Sequence, residues 1–360
     1  MVFQTRILVS GIVQGVGFRP FCVRLANSES ISGYALNTSH GVEMELHGEE
    51  EHLDSFLLRL VRENPPASFI GSVKILDEKR RSSSPPTRFQ ILESRKETMQ
   101  TALIPADLAV CAQCLAEMKD PGNRRYRYPF INCTDCGPRY TIIRELPYDR
   151  PKTTMASFAM CHDCAGEYED SSHRRFHAEP NACPLCGPEV WLTDSEGMEM
   201  SKGDEAVRRC SSLLDQGKIV AIKGIGGFHI ACTPFCDRTV GSLRERKRRA
   251  HKPFALMVSS LEIAEELAYI PYVAKKLMAS PASPVVLCCV RTKPRSSPVA
   301  AVSPLVAPGQ RTLGLMLPYT PLHHLLLEGK RALIMTSANF SDAPIVSDNA
   351  AALASLSSIA

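Results

Sequence analysis

Eight cysteines in the middle of this 360-residue chain fall into four C-x2-C steps: Cys111/Cys114, Cys133/Cys136, Cys161/Cys164 and Cys183/Cys186. Eighteen residues separate the first pair from the second and the third from the fourth, with 24 between the two halves. The halves share more than cysteine: "RRY" at 124–126 answers "RRF" at 174–176, and "CGP" closes both, at 136–138 and 186–188. One C-x2-C turn brings two thiolates to a metal, and two such turns complete a tetrahedron around Zn²⁺. Four sulfurs leave no coordination position open, so two structural zinc ions are expected. The simplest pairing follows the repeat, the first four cysteines on one ion and the last four on the other. The spacing also allows outer turns to pair with inner ones. Disulfides are the competing reading. Against them, "MVFQTRILVS" lacks the basic and apolar regions of a signal peptide, which points to a cytoplasmic, reducing setting.

A second chemistry is written near the start. In "VSGIVQGVGFRPF" three glycines, Gly11, Gly15 and Gly17, precede Arg19. A glycine turn between strand and helix presents backbone N–H groups at the positive end of the helix dipole. An arginine in the first turn adds a fork for phosphate oxygens. A third cluster is the basic run "LRERKRR", 243–249, which alone reads as a solvated helix face. Paired with "TSANFS" downstream, Lys247, Arg249, Ser337 and Asn339 become candidates for holding a polyphosphate. His323 and His324 point about 100° apart on a helix, so packing or substrate contact is expected rather than a shared metal. His162, His173 and His177 lie within the cysteine block, where eight thiolates already fill two sites, and read as bystanders. The other six cysteines (Cys22, Cys210, Cys232, Cys236, Cys288, Cys289) lie mostly in apolar stretches and read as core thiols.

The elements that position these groups change along the chain. Over the first 95 residues, strand and helix patterns alternate as βαββαβ, with "DEKRRSSSPP" a polar loop before the last strand. That order suits a ferredoxin-like sandwich. From 105 to 190 apolar periodicity disappears, and a segment so poor in core residues needs a metal staple. From 200 to 360 α/β patterning returns. A net charge of +4 is too weak to demand nucleic acid, and no apolar run approaches the ~18 residues of a membrane span. Neither a membrane nor a nucleic acid is an expected partner.

The stretch "VSGIVQGVGFRPF" closely resembles the acylphosphatase signature, and residues 1–95 match that family's element order. The resemblance implies that Arg19 grips the phosphate and that Asn37, in "YALNTSHG", positions the attacking water. An acylphosphatase joined to a doubled C-x2-C-x18-C-x2-C block resembles the HypF carbamoyltransferases of [NiFe]-hydrogenase maturation. "KGIGGFHIAC" and "RERKRRAHKPFALMV" agree, being similar to the YrdC-like domain that binds ATP and makes carbamoyl adenylate. That family's KxR…SxN tetrad falls on Lys247, Arg249, Ser337 and Asn339, and "LPYTPLHHLLL" at 317–327 also resembles HypF.

What the resemblance implies is an α+β multidomain chain: acylphosphatase-like over 1–95, a tandem four-cysteine zinc-finger module over 105–190, and a YrdC-like domain over 200–360. It implies carbamoyl phosphate and ATP with Mg as substrates, the carbamate passing internally from the first site to the second. HypE, whose C-terminal cysteine receives the carbamoyl group through a further ATP- and metal-binding domain, is the implied protein partner. The chain stops at "LASLSSIA" with helical periodicity still running, so the YrdC-like domain reads as C-terminally incomplete and HypE carbamoylation by this chain is not expected. One residue departs from the pattern: Asp342 stands where the SxN loop usually has glycine. Two other readings compete. A threonylcarbamoyl-adenylate synthase of tRNA modification shares the YrdC-like fold but has no use for the first two modules. A nucleic-acid-binding zinc protein calls for more charge and an aromatic-interleaved basic stripe.

Overall fold

The computed structural model describes residues 1–96, 101–291, 301–339 and 343–360; Asp342 lies outside them. The chain divides into two compact units, Met1–Cys111 with Asn132–Gly187, and Ala112–Ile131 with Pro188–Ala360.

The first unit begins with β1 (Phe3–Ile12), α1 (Phe18–Ser28), β2 (Ser32–Thr38), β3 (Gly41–Gly48), α2 (Glu50–Arg62), β4 (Phe69–Arg81) and β5 (Phe89–Ile91). The strands form one sheet in the order β4-β1-β3-β2-β5, with only β2 and β5 parallel. Alternation in β1 sends Ile7 and Val9 inward, where they meet Phe18, Cys22 and Leu25 of α1 and Leu53, Phe56 and Leu60 of α2. The helix residues recur at the 3–4 spacing that keeps one face on the sheet. β4 corrects the sequence reading. Residues 77–81, expected in a loop, continue the strand, Asp77 opposite Arg6 and Arg81 opposite Phe3. An edge strand tolerates this charge because one side faces water, and Arg6 meets Asp77 at 3.4 Å.

The cysteine-rich part of this unit buries arginines alongside its apolar side chains. Only short helices interrupt its turns, α3 (Ala112–Lys119, in the second unit) and α4 (His162–Glu169). Arg139 and Arg175 are buried to 1% and 2% exposure, as is Arg125, the first-half counterpart of Arg175. The fork of Arg139 donates to the carbonyls of Cys133 and Thr134, both at 2.9 Å, and to that of Gly15. Arg150 likewise reaches the carbonyls of Phe158, Glu179 and Asn181. Guanidinium–carbonyl bonds thus satisfy a turn-rich backbone that has no ladder of its own, beside the buried Leu146, Tyr148, Met155 and Phe176.

The second unit continues with the hairpin β6 (Trp191–Thr193) and β7 (Glu199–Lys202). There follow α5 (Gly203–Asp215), β8 (Val220–Lys223), β9 (Phe228–Cys232), α6 (Asp237–Arg246) and β10 (Ala255–Val258). Next come α7 (Leu261–Leu267), α8 (Tyr272–Met278), β11 (Val286–Cys289), β12 (Thr312–Met316), α9 (Pro321–Leu326), β13 (Ala332–Ser337) and α10 (Asn349–Leu356). Its six-stranded sheet runs β11-β12-β10-β13-β9-β8, with β10 and β12 parallel and the other neighbours antiparallel. Ile230, Cys232, Val240, Leu256, Leu315 and Ile334 are at the centre of its core. Of the six remaining cysteines, Cys22, Cys210, Cys232 and Cys288 are buried as expected, Cys236 is half-buried and Cys289 is exposed. No helix among the described residues is long and apolar enough to cross a membrane.

Candidate functional site

Two sets of four sulfurs come together, Cys111, Cys114, Cys133 and Cys136 in one and Cys161, Cys164, Cys183 and Cys186 in the other, each set within 4.8 Å. The pairing therefore follows the repeat, and the interleaved alternative falls away. A tetrahedral group of four thiolates on zinc, with Zn–S near 2.3 Å, has sulfur–sulfur edges of about 3.8 Å. Cys111–Cys133 and Cys133–Cys136 lie 3.8 Å apart, and Cys161–Cys183 and Cys183–Cys186 lie 3.8 and 3.7 Å apart. Both sets thus have the size and softness that zinc requires. Arg174 donates to the sulfurs of Cys111 and Cys133, each at 3.2 Å, offsetting the charge of the first set from the other half of the repeat.

The glycine turn after β1 is the second site. Gly17 caps α1 at φ 72°, a left-handed conformation that costs a glycine little, and Gly15 is left-handed as well. Gly11 has a different cause. At φ 130° it sits where β1 shifts register against β4, and a Cβ there would overlap the Phe69 carbonyl oxygen. It serves the sheet, not the turn.

Arg19, on the first turn of α1, is 7% exposed. Among the described residues its polar contacts pass through one nitrogen: Nη2 is 3.0 Å from Glu179 Oε1 and 3.2 Å from Asp149 Oδ1. Asn37, on β2, is fully buried; its Nδ2 donates to the Tyr148 carbonyl at 3.2 Å, and its Oδ1 has no partner among the described residues. Gln14 braces the same point, donating to the Thr38 and Gly41 carbonyls and accepting from the Tyr148 N–H at 2.9 Å. Gly15, Gly17, Arg19, Tyr148, His177 and Glu179 line one pocket.

Sequence reasoning missed Glu179, Asp149 and Tyr148 here, and it set His177 aside as a bystander of the metal centres. His177 is no ligand of either sulfur set, but it lines this pocket. Burial, with Arg19 nearby, drives its pKa down to about 3, so the ring is neutral. Burial also pushes the Glu179 carboxyl up to about 7, against the opposing pull of Arg19.

The tetrad of the second unit converges as well. Helix α6 ends at Arg246, Lys247 caps it, and Arg248 turns at φ 50°, so Lys247 and Arg249 leave a turn rather than a helix face. Lys247 Nζ donates to the carbonyls of Ser337 and Asn339 at 2.8 and 2.7 Å, across from Ser337 Oγ, which donates to Asn339 Oδ1 at 2.7 Å. Arg249 reaches Thr336 Oγ1 at 3.2 Å and the carbonyls of Lys252 and Pro253. Both cations thus brace the loop after β13. Burial, and then the charge of Arg249, lowers the Lys247 pKa to about 8. His323 is buried, neither ring nitrogen hydrogen-bonded among the described residues, its ring edge-on to Tyr319 at 4.6 Å. His324 does not join it in any metal-sized group among the described residues.

Comparison with known families finds three models along the chain. The Acylphosphatase model matches residues 5–91, the HypF finger model residues 110–143 and 160–193, and the Sua5/YciO/YrdC model, described as Telomere recombination, residues 212–360. An acylphosphatase of Chlorobaculum tepidum is 42% identical over 73 residues, 78% of its own length. Carbamoyltransferase HypF2 of Cupriavidus necator is 45% identical over 99% of the chain, which spans 45% of that relative. A probable carbamoyltransferase HypF of Methanocaldococcus jannaschii is also 45% identical, with 46% of its length covered. Among solved structures, full-length HypF in a phosphate- and nucleotide-bound form superposes on the whole chain with a TM-score of 0.90 at 39% identity. Here too 46% of that protein is covered, so the chain spans just under half the length of the relatives it matches. With an acylphosphatase domain, a doubled four-cysteine finger and a YrdC-like domain in this order, the chain belongs to the HypF carbamoyltransferase family.

Proposed function

We propose that the chain splits carbamoyl phosphate at Arg19 and activates the resulting carbamate with ATP at the Lys247 loop. The observation that carries the first half is the convergence of Arg19 and the left-handed Gly15 and Gly17 on one pocket, with the buried Asn37 behind it, on the carbonyl of pocket-lining Tyr148. The Nε and Nη1 donors of Arg19 make no ion pair or hydrogen bond within the described residues, which leaves a fork for two phosphate oxygens. The N–H groups at the start of α1 receive charge that builds up on phosphorus oxygens. Asn37 Oδ1, buried with no partner, accepts a hydrogen bond from the attacking water and aims its lone pair. Water oxygen bonds to phosphorus, the bridging P–O bond breaks, and carbamate leaves with its electron pair.

At the second site the carbamate oxygen attacks the α-phosphate of Mg·ATP, giving carbamoyl adenylate and pyrophosphate. Lys247 and Arg249 face the polyphosphate, while Ser337 and Asn339 supply hydrogen bonds from the loop they brace. The two four-cysteine sets hold structural zinc. In a full-length HypF the carbamoyl group goes on to HypE; the activity takes place in the cytoplasm, without nucleic acid or membrane.

The test is exchange of labelled pyrophosphate into ATP. It should require carbamoyl phosphate and disappear in Lys247→Ala and Arg249→Ala. Exchange that requires threonine and bicarbonate instead would transfer the chain to the tRNA-modifying synthases. For the first site, Arg19→Ala should abolish acyl phosphate hydrolysis, and Asn37→Ala should lower kcat with little change in KM. Wild-type turnover in Arg19→Ala would end the reading.

A further inference from the structure

The acylphosphatase match ends at residue 91, yet the guanidinium at its centre is held by two carboxylates from the cysteine-rich segment, Asp149 and Glu179. We propose that Glu179 is a member of the phosphate site: it is the resident counter-ion of Arg19 and takes up one proton when a phosphate dianion binds there. This rests on the reading of Arg19 as the phosphate ligand.

Charge counting around the pocket leads to it. Arg19 comes from α1, Asp149 and Arg150 from the turn before Lys152, Tyr168 from α4, and Tyr148 and His177 line the same pocket. Arg139, which also lines the pocket, and Arg150 keep their charge but have spent donors on carbonyls. His177 is neutral. An arriving dianion therefore meets one cation with donors to spare, already neutralised by two carboxylates. Asp149, with a fifth of its side chain exposed, keeps water to screen its charge, whereas Glu179 is 2% exposed and has none. Of the two, Glu179 must discharge.

Its hydrogen bonds say where the proton goes. Oε2 already accepts from Tyr168 Oη and from the Arg150 N–H, both at 2.9 Å. Oε1 accepts from Arg19 alone among the described residues. Protonated there, Glu179 gives up its claim on the guanidinium and donates to a phosphate oxygen in its place. The carboxyl already titrates near neutrality, up at about 7, so the exchange needs no unusual pH.

Sulfate tests this without ambiguity, because it is tetrahedral and stays a dianion across neutral pH, so that any proton uptake belongs to the protein. Zinc-loaded full chain is titrated with sulfate by calorimetry between about pH 6 and pH 9, in two buffers of different ionisation enthalpy. The expected result is uptake approaching one proton per sulfate above about pH 8 and little near pH 6. Affinity should fall roughly tenfold per pH unit above about 7. Glu179→Gln should bind sulfate more tightly than wild type at about pH 8.5, with no uptake and a flat profile; Asp149→Asn should keep the proton uptake, with its onset moved to lower pH because the Asp149 charge helps raise the Glu179 pKa. Binding that is flat with pH in the wild type, or uptake that survives in Glu179→Gln, overturns the proposal. If Glu179→Gln fails to fold, the two-buffer series on the wild type decides alone. A wild type that binds no sulfate removes both this proposal and the phosphate reading of Arg19, a result distinct from pH-independent binding.

Discussion

Replacing Arg19 by alanine should destabilise the first unit by an amount that depends on pH, and the buried carboxylate sets the sign. In the wild type the Glu179 pKa is raised to about 7. Its contribution to stability is therefore full at low pH and is lost as pH rises through about 7. Removing Arg19 takes away the cation that holds this pKa down, so in the variant it climbs further. Below the wild-type value both proteins carry a protonated Glu179, and the charge adds nothing to the difference. Above it the wild type ionises while the variant must stay protonated. The gap then grows by about 1.4 kcal/mol per pH unit, reaching about 3 kcal/mol near pH 9. The ceiling is the roughly 3–5 kcal/mol typical of a buried ion pair that loses one partner.

Urea midpoints of zinc-loaded protein, followed by circular dichroism at about pH 6, 7, 8 and 9, measure this directly. A smaller, pH-independent loss from the vanished side-chain stem will underlie the trend. The double variant Arg19→Ala/Glu179→Gln should show only that flat part, because no carboxylate is left to strand. A penalty equal at about pH 6 and pH 9, or one that shrinks as pH rises, would refute the reasoning, since both mean that Glu179 does not feel the guanidinium 3.0 Å away.

Elemental analysis of reduced protein should find two zinc ions per chain, and chelation should melt the cysteine-rich segment, because its turns lean on the two four-cysteine sets and on arginine–carbonyl bonds more than on long helices or a sheet of their own. Lys247, titrating near 8, should make Mg·ATP binding weaken above about pH 8; Lys247→Met should cost tenfold or more in affinity, read by calorimetry, and an unchanged affinity would remove it from the site. Gly11→Ala should destabilise the first unit by about 2–4 kcal/mol in urea, through a forced left-handed alanine and a clash with Phe69, without changing the sulfate affinity of folded protein.

Much of this was legible because it is local. A C-x2-C turn carries its geometry in four consecutive residues, and the repeat in "RRY…CGP" and "RRF…CGP" favours the pairing that the sulfur positions then select over the interleaved one. The βαββαβ order follows from side-chain periodicity, which needs no knowledge of distant contacts. Where periodicity was silent the reading slipped. Residues 77–81 are charged and carry no apolar alternation, since an edge strand has a water-facing side that asks nothing of them. Gly11 looked like its neighbours in the glycine turn, but its cause is a strand 58 residues away.

The pocket at Arg19 shows the harder limit. The resemblance to acylphosphatases singles out Arg19 and Asn37 because they sit within one small sandwich, on a turn and a strand whose motifs are short. Glu179 lies 160 residues from Arg19, in "FHAEPNAC", where a single acidic residue among turns has no pattern to distinguish it. Its meaning comes from what surrounds it. It is fully buried and fixed at Oε2 by a tyrosine and a backbone N–H, with Oε1 on the guanidinium. Each of those contacts comes from a different element, and none is encoded near residue 179. The same holds for the buried arginines: the duplicated "RR" marks that something repeats, but only the packed turns reveal that one arginine reaches sulfur and the next a carbonyl. A cationic site written in one domain is therefore completed by a segment whose own pattern speaks only of zinc. Burial follows from that completion, and burial is what brings a glutamate to titrate near neutrality.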